Sequence, residues 1–123
     1  MQAVVKVDEQ EGREGTEVRE VSVPEPGEGE VRLKVRATAI CGSDRHIYHW
    51  DPTVRDMVIP PRIYGHEFCG EIDAIGRSPG REDLREGAFA SAEMHVTCGV
   101  CRQCRSGQGH VCSRTRIIGF HSD

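Results

Sequence analysis

The 123-residue sequence has no apolar run approaching the ~20 residues a membrane helix requires. Its first ten residues, MQAVVKVDEQ, contain neither the apolar stretch nor the cleavage site of a secretion signal. There is no basic stripe: Lys and Arg number 16 against 20 Asp and Glu, for a formal charge of −4. That balance argues against a nucleic-acid partner, whose phosphates need a concentrated positive face. Internal repeats and linker-like segments are also missing, which fits a single domain with a modest core. We therefore expect a soluble, cytoplasmic protein without a membrane or nucleic-acid partner. In that compartment six cysteines point to metal or catalytic chemistry before disulfides.

Four of the six fall in CGVCRQCRSGQGHVC, with the spacing C-x2-C-x2-C-x7-C over Cys98, Cys101, Cys104 and Cys112. Four thiolates on one looping segment close a tetrahedral zinc site. The competing metal is an iron–sulfur cluster, but the bacterial ferredoxin run ends C-x3-C-P. Here the last gap is longer and Ser113 follows. A four-cysteine zinc site has no open position for a substrate. The stretch is rich in glycine and polar residues, so the metal would supply much of its folding free energy.

Chemistry then has to lie elsewhere. ICGSDRHIYHWD (residues 40–51) and GHEFCGEIDAIG (residues 65–76) contain Cys41, His66 and Glu67, three competent zinc ligands. Three protein ligands and an open position make a catalytic zinc site. If SDRHIYH forms a short helix capped by Ser43 or Asp44, Ser43 and His46 share a face. A hydroxyl and an imidazole so placed suit a proton relay, since histidine titrates near neutral pH. A carboxylate such as Asp44 is the usual second partner of a zinc-bound histidine. Taken alone, Ser43 and Asp44 are equally good helix caps and His46 is an ordinary solvated residue. His95 is then a strand or loop histidine, and Trp50 is either a core anchor or a pocket wall.

The order C-G-S-D-x-H, G-H-E-x-x-G, C-x2-C-x2-C-x7-C resembles the catalytic domain of zinc-dependent medium-chain alcohol and polyol dehydrogenases. HIYHWD and AEMHVTCGVCRQCRSGQGHVC are most similar to L-threonine 3-dehydrogenases, with sorbitol and butanediol dehydrogenases as close relatives. The resemblance covers nearly the whole chain. It implies a catalytic zinc on Cys41, His66 and Glu67, and a structural zinc on Cys98, Cys101, Cys104 and Cys112. It also implies that Ser43 takes the substrate proton, His46 passes it to solvent, Asp44 orients the zinc-bound histidine and His95 tunes substrate choice. The substrate would be a small-molecule alcohol, L-threonine first, oxidised by hydride transfer to NAD or NADP.

The fold implied is mainly β: a GroES-like, partly open β-barrel with short helices and a four-cysteine zinc lobe at 95–115. Strands are expected at AVVKV (3–7), along EVRLKVRATAIC, where Val31, Leu33 and Val35 alternate with charges, and along EFCGEIDAIG. Gly70 marks a bulge or close backbone approach there. Turns are expected at Pro26–Gly29, Pro60–Pro61 and Ser78–Gly80, with a second short helix near 51–57. Cys69 reads as a small buried residue, and His49, His110 and His121 as surface residues.

One element of a dehydrogenase is missing: no G-x-G-x-x-G occurs, since PGEGEVR puts Arg32 where the third glycine belongs. The chain also stops at GFHSD, well short of where a family member ends. We therefore expect residues 1–123 to be an N-terminal catalytic domain, inactive alone, whose nucleotide-binding domain lies outside it. The full-length protein would be a possible homo-oligomer. Ala88 and Pro79 depart from the family pattern without touching a ligand. A non-catalytic zinc-binding module is the alternative from outside enzymology.

Overall fold

The computed structural model describes residues 1–78, 81 and 83–123. The expected turn at Pro79 and Gly80, and the Pro79 departure, lie outside the described residues. Eight short strands and two α-helices follow one another among the described residues. β1 is Gln2–Lys6, β2 Thr16–Glu20, β3 Val31–Ala39, α1 Gly42–His49 and β4 Arg62–Ile63. β5 is Glu67–Ile75, β6 Phe89–Ser91, β7 His95–Val96, α2 Arg102–Arg105 and β8 Arg116–Ile117. They form antiparallel sheets ordered β2-β1-β4, β3-β5-β6 and β7-β8. No closed barrel forms among the described residues, in keeping with a partly open one. No described helix is long and apolar enough to cross a membrane.

β3 and β5 pair along nearly their whole length, with register shifts at Arg32/Leu33 and Val35/Ala37. Gly70 faces Val35, and a Cβ there would lie 2.3 Å from the Lys34 carbonyl oxygen. Both sequence options for Gly70 therefore hold: the backbones come close beside a bulge. The Val31, Leu33, Val35 face is less covered than its alternation implies, with Val35 54% exposed. Leu33 and Val35 border an open groove shared with Ala3 and Val4.

The core sits instead around α1: Ile47, Trp50, Val54, Val58 and Phe120 are buried together. This settles Trp50 as a core anchor. The 51–57 stretch packs into this core as consecutive turns rather than a second helix. Pro60–Pro61 is a cis peptide. Lys6 is buried beneath this region, with Nζ donating to the carbonyls of Gln10 (2.5 Å) and Tyr48 (3.4 Å) above the Trp50 ring. Burial holds its pKa below the ordinary lysine value. The Gly12 N–H donates to the same Tyr48 carbonyl (2.8 Å), so the β1–β2 loop closes the C-terminal end of α1.

Candidate metal centres

The four-cysteine lobe is built by local turns. Cys101 caps α2, its sulfur accepting from the Cys104 N–H, and a 3-10 turn at Gly109–Val111 brings Cys112 back. The Sγ atoms stand 3.5 Å apart for Cys98–Cys112, 3.4 Å for Cys101–Cys104, 3.8 Å for Cys101–Cys112 and 3.9 Å for Cys98–Cys104. Four sulfurs each about 2.3 Å from a tetrahedral zinc lie about 3.8 Å from one another. The donor set therefore fits such an ion, and none of the six cysteines is in a disulfide.

The thiols differ in acidity. Backbone N–H groups of Val100 and Cys101 pull Cys98 down to about 6, and those of Cys98 and Arg114 lower Cys112. Desolvation, then hydrogen bonding to neighbouring cysteines, pushes Cys104 up to about 11. A metal binding all four would have to displace protons as it entered.

The second centre is assembled across the fold. Cys41 ends the segment after β3 and is the N-cap of α1. Neither Ser43 nor Asp44 holds the cap position expected from the sequence. Asp44 is the third residue of the helix, and its Oδ2 accepts the Cys41 N–H at 2.8 Å. Both residues favour caps, but Asp44 serves better reaching back from inside the first turn, as in a capping box.

His66 and Glu67 stand at the start of β5, after Gly65, whose φ of +111° needs a glycine. The ligand atoms of Cys41, His66 and Glu67 lie within 4.8 Å of one another. His66 is buried, with its ring 5.8 Å from that of Phe120. Its Nδ1 faces Asp44 Oδ1 at 3.7 Å, and both atoms are buried without a hydrogen-bond partner. An imidazole donor opposite a carboxylate acceptor is the support a metal-bound histidine needs, so these residues also fit the ion. Ser43 Oγ meets the other ring nitrogen, Nε2, at 3.3 Å, which sets the hydroxyl beside the candidate metal position.

Cys41, His66 and Glu67 open onto a cavity of about 690 Å³, bordered also by Cys69, Glu93 and His95. None of the four lobe cysteines borders it. Cys69 is half-buried on β5 rather than fully buried.

Not every candidate joins the cluster. His46 is exposed and its Nδ1 is paired with Asp51, with no hydrogen bond to Ser43. His95 pairs with Glu93 at the cavity edge. His49 pairs with Glu11 at the surface, and the His121 ring accepts the Ile117 N–H. Asp51, Glu93 and Phe120 were not singled out in the sequence; the first two were recognisable only as acids near a histidine. Ala88 immediately precedes β6, its carbonyl accepting the Ile72 N–H at 2.9 Å.

The family model for the alcohol dehydrogenase GroES-like domain matches residues 27–122. The chain belongs to this family. L-Threonine 3-dehydrogenase of Pyrococcus horikoshii is 50% identical over 109 residues, covering 89% of this chain and 31% of that protein. A zinc-binding dehydrogenase of Sinorhizobium meliloti bound to NADP superposes with TM-score 0.80 at 35% identity, covering 99% of this chain and 33% of that one. A cobalt- and zinc-bound alcohol dehydrogenase from Pyrobaculum aerophilum gives TM-score 0.82 at 29% identity, covering 100% and 36%. The domain thus spans about one-third of the length of these relatives.

Proposed function

We propose that residues 1–123 are the catalytic domain of a zinc-dependent dehydrogenase. It would oxidise a secondary alcohol, best matched by the hydroxyl of L-threonine, and pass hydride to NAD or NADP held by a domain outside this chain. The observation that carries this is the convergence of Cys41, His66 and Glu67 on one open cavity, with the buried Asp44 Oδ1, which has no hydrogen-bond partner, behind the histidine. The P. horikoshii relative supports threonine, and the zinc- and NADP-bound structures support the metal and the nicotinamide. The 95–115 lobe is then scaffold around a structural zinc.

Zinc on Cys41, His66 and Glu67 would supply Lewis acidity, lowering the pKa of the substrate hydroxyl. Asp44 holds the His66 ring by facing its Nδ1. Ser43 Oγ, beside His66 Nε2, accepts the substrate proton. His46, one turn along α1 and exposed, delivers it to water, with Asp51 orienting its ring. His95, at the cavity edge, selects the substrate.

The test uses a protein that carries this chain together with a nucleotide-binding domain. It should reduce NAD or NADP with L-threonine and lose that activity on Cys41→Ser, while the 123-residue chain alone turns nothing over. Turnover by the chain alone, or retained activity in Cys41→Ser, would overturn the proposal. A profile led by sorbitol or butanediol would keep the chemistry and replace the substrate. Two bound zincs without activity on any alcohol would favour a non-catalytic zinc module.

A further inference from the structure

Glu93 has no part in the metal sites or the proton path, yet it borders the same cavity as Cys41, His66 and Glu67. A single oxygen, Oε1, accepts two hydrogen bonds from His95: one from ring Nδ1 at 2.6 Å, the other from the backbone N–H at 3.2 Å. An ionised carboxylate only accepts, so the proton between Oε1 and the ring belongs to Nδ1. Those two hydrogen bonds hold the Glu93 carboxyl below the usual carboxylate range. The backbone is pinned on the other side as well, because His95 pairs with Ile117 and the Met94 carbonyl accepts the Ile118 N–H at 3.0 Å.

We infer that Glu93 is a positioning residue that fixes the tautomer and orientation of His95, leaving Nε2 as the ring nitrogen available to a substrate. In the neutral ring Nε2 is a lone-pair acceptor. It would take an N–H or O–H donor next to the reacting hydroxyl, such as the ammonium of a 2-amino-3-hydroxy acid. An alcohol without that donor leaves Nε2 to water and gains no hydrogen bond there, so the pair discriminates by chemistry as well as size. This deepens, and rests on, the reading of His95 as a substrate-selecting residue.

The experiment is long-range proton–nitrogen NMR of the zinc-loaded chain with labelled histidine, at about pH 9, where imidazoles are neutral. Signals of His95 are those lost in His95→Asn. The wild type should show a protonated Nδ1 and a bare Nε2. Glu93→Ala should lose that pattern with the amide spectrum of the lobe unchanged, and Glu93→Gln, which keeps an oxygen there, should restore it. A bare Nδ1 in the wild type, or an unaltered pattern in Glu93→Ala, would overturn the inference. Neither readout involves turnover, so such a failure leaves the dehydrogenase proposal standing. A full-length enzyme without threonine activity but with the tautomer intact would fail that proposal alone.

Discussion

The Cys98–Cys112 lobe draws its candidate ligands from fifteen consecutive residues, whereas the other centre joins Cys41 to His66 and Glu67 across twenty-four intervening residues and two elements. The lobe is all sulfur, spaced as the edges of one tetrahedron, and borders no cavity that the second centre uses. The second centre mixes donor types, leaves Glu67 exposed and opens on about 690 Å³ of space. It also has a buried acid behind its histidine, which the lobe lacks. A closed set of one donor type stabilises a loop that has little core of its own. An open set supported by a second layer of side chains leaves room for a reacting group.

The largest effect should come from breaking the lobe. Structural zinc stabilises small zinc peptides by about 10–16 kcal/mol in apparent terms. Cys101→Ser should therefore unfold residues 98–112 locally, seen as rapid proteolysis within the lobe while β3–β5 amides keep their dispersion. Cys41→Ser should do the reverse: intact lobe, no metal at the second centre, no turnover in the longer protein. Asp44→Asn should be milder, because orienting carboxylates change metal affinity by about 10–100-fold. Competition with a chromogenic chelator would measure it, with the lobe zinc unaffected.

Gly119 follows the lobe in the chain and packs against Gly65 beside the second centre. It has φ of +80°, and a Cβ there would come 3.1 Å from the Gly65 nitrogen, next to His66. Gly119→Ala should cost about 1–2 kcal/mol, the penalty of a left-handed alanine. A thermal melt would record the loss, and metal affinity should fall at the second centre before the lobe. Cys69→Ala should leave the zinc content unchanged, since Cys69 belongs to neither candidate cluster.

How much of this was legible in the sequence follows the same division. The clustering of the four lobe cysteines could be read directly, because these candidate ligands are close in sequence and their spacing carries the geometry. Cys41, His66 and Glu67 could be named only through the joint pattern of motifs, since nothing local says that two distant loops meet. The sequence signals the helix after Cys41 but not its cap: Ser43, Asp44 and Cys41 compete for one end, and the backbone path selects Cys41. The alternation in β3 marks a face with apolar side chains but not what covers it, hence the exposed Val35. Nothing in the sequence marks Glu93 or Asp51, because an acid beside a histidine is commonplace until a cavity or helix end gives it a direction.

The central claim is that one chain holds two separate metal centres with different tasks. Elemental analysis of zinc in the purified chain, its Cys101→Ser variant and its Cys41→Ser variant tests it most directly. The account predicts two zincs per chain in the wild type and one in each variant, from the two clusters the fold assembles. A wild type with one zinc, abolished by Cys101→Ser and untouched by Cys41→Ser, would contradict it.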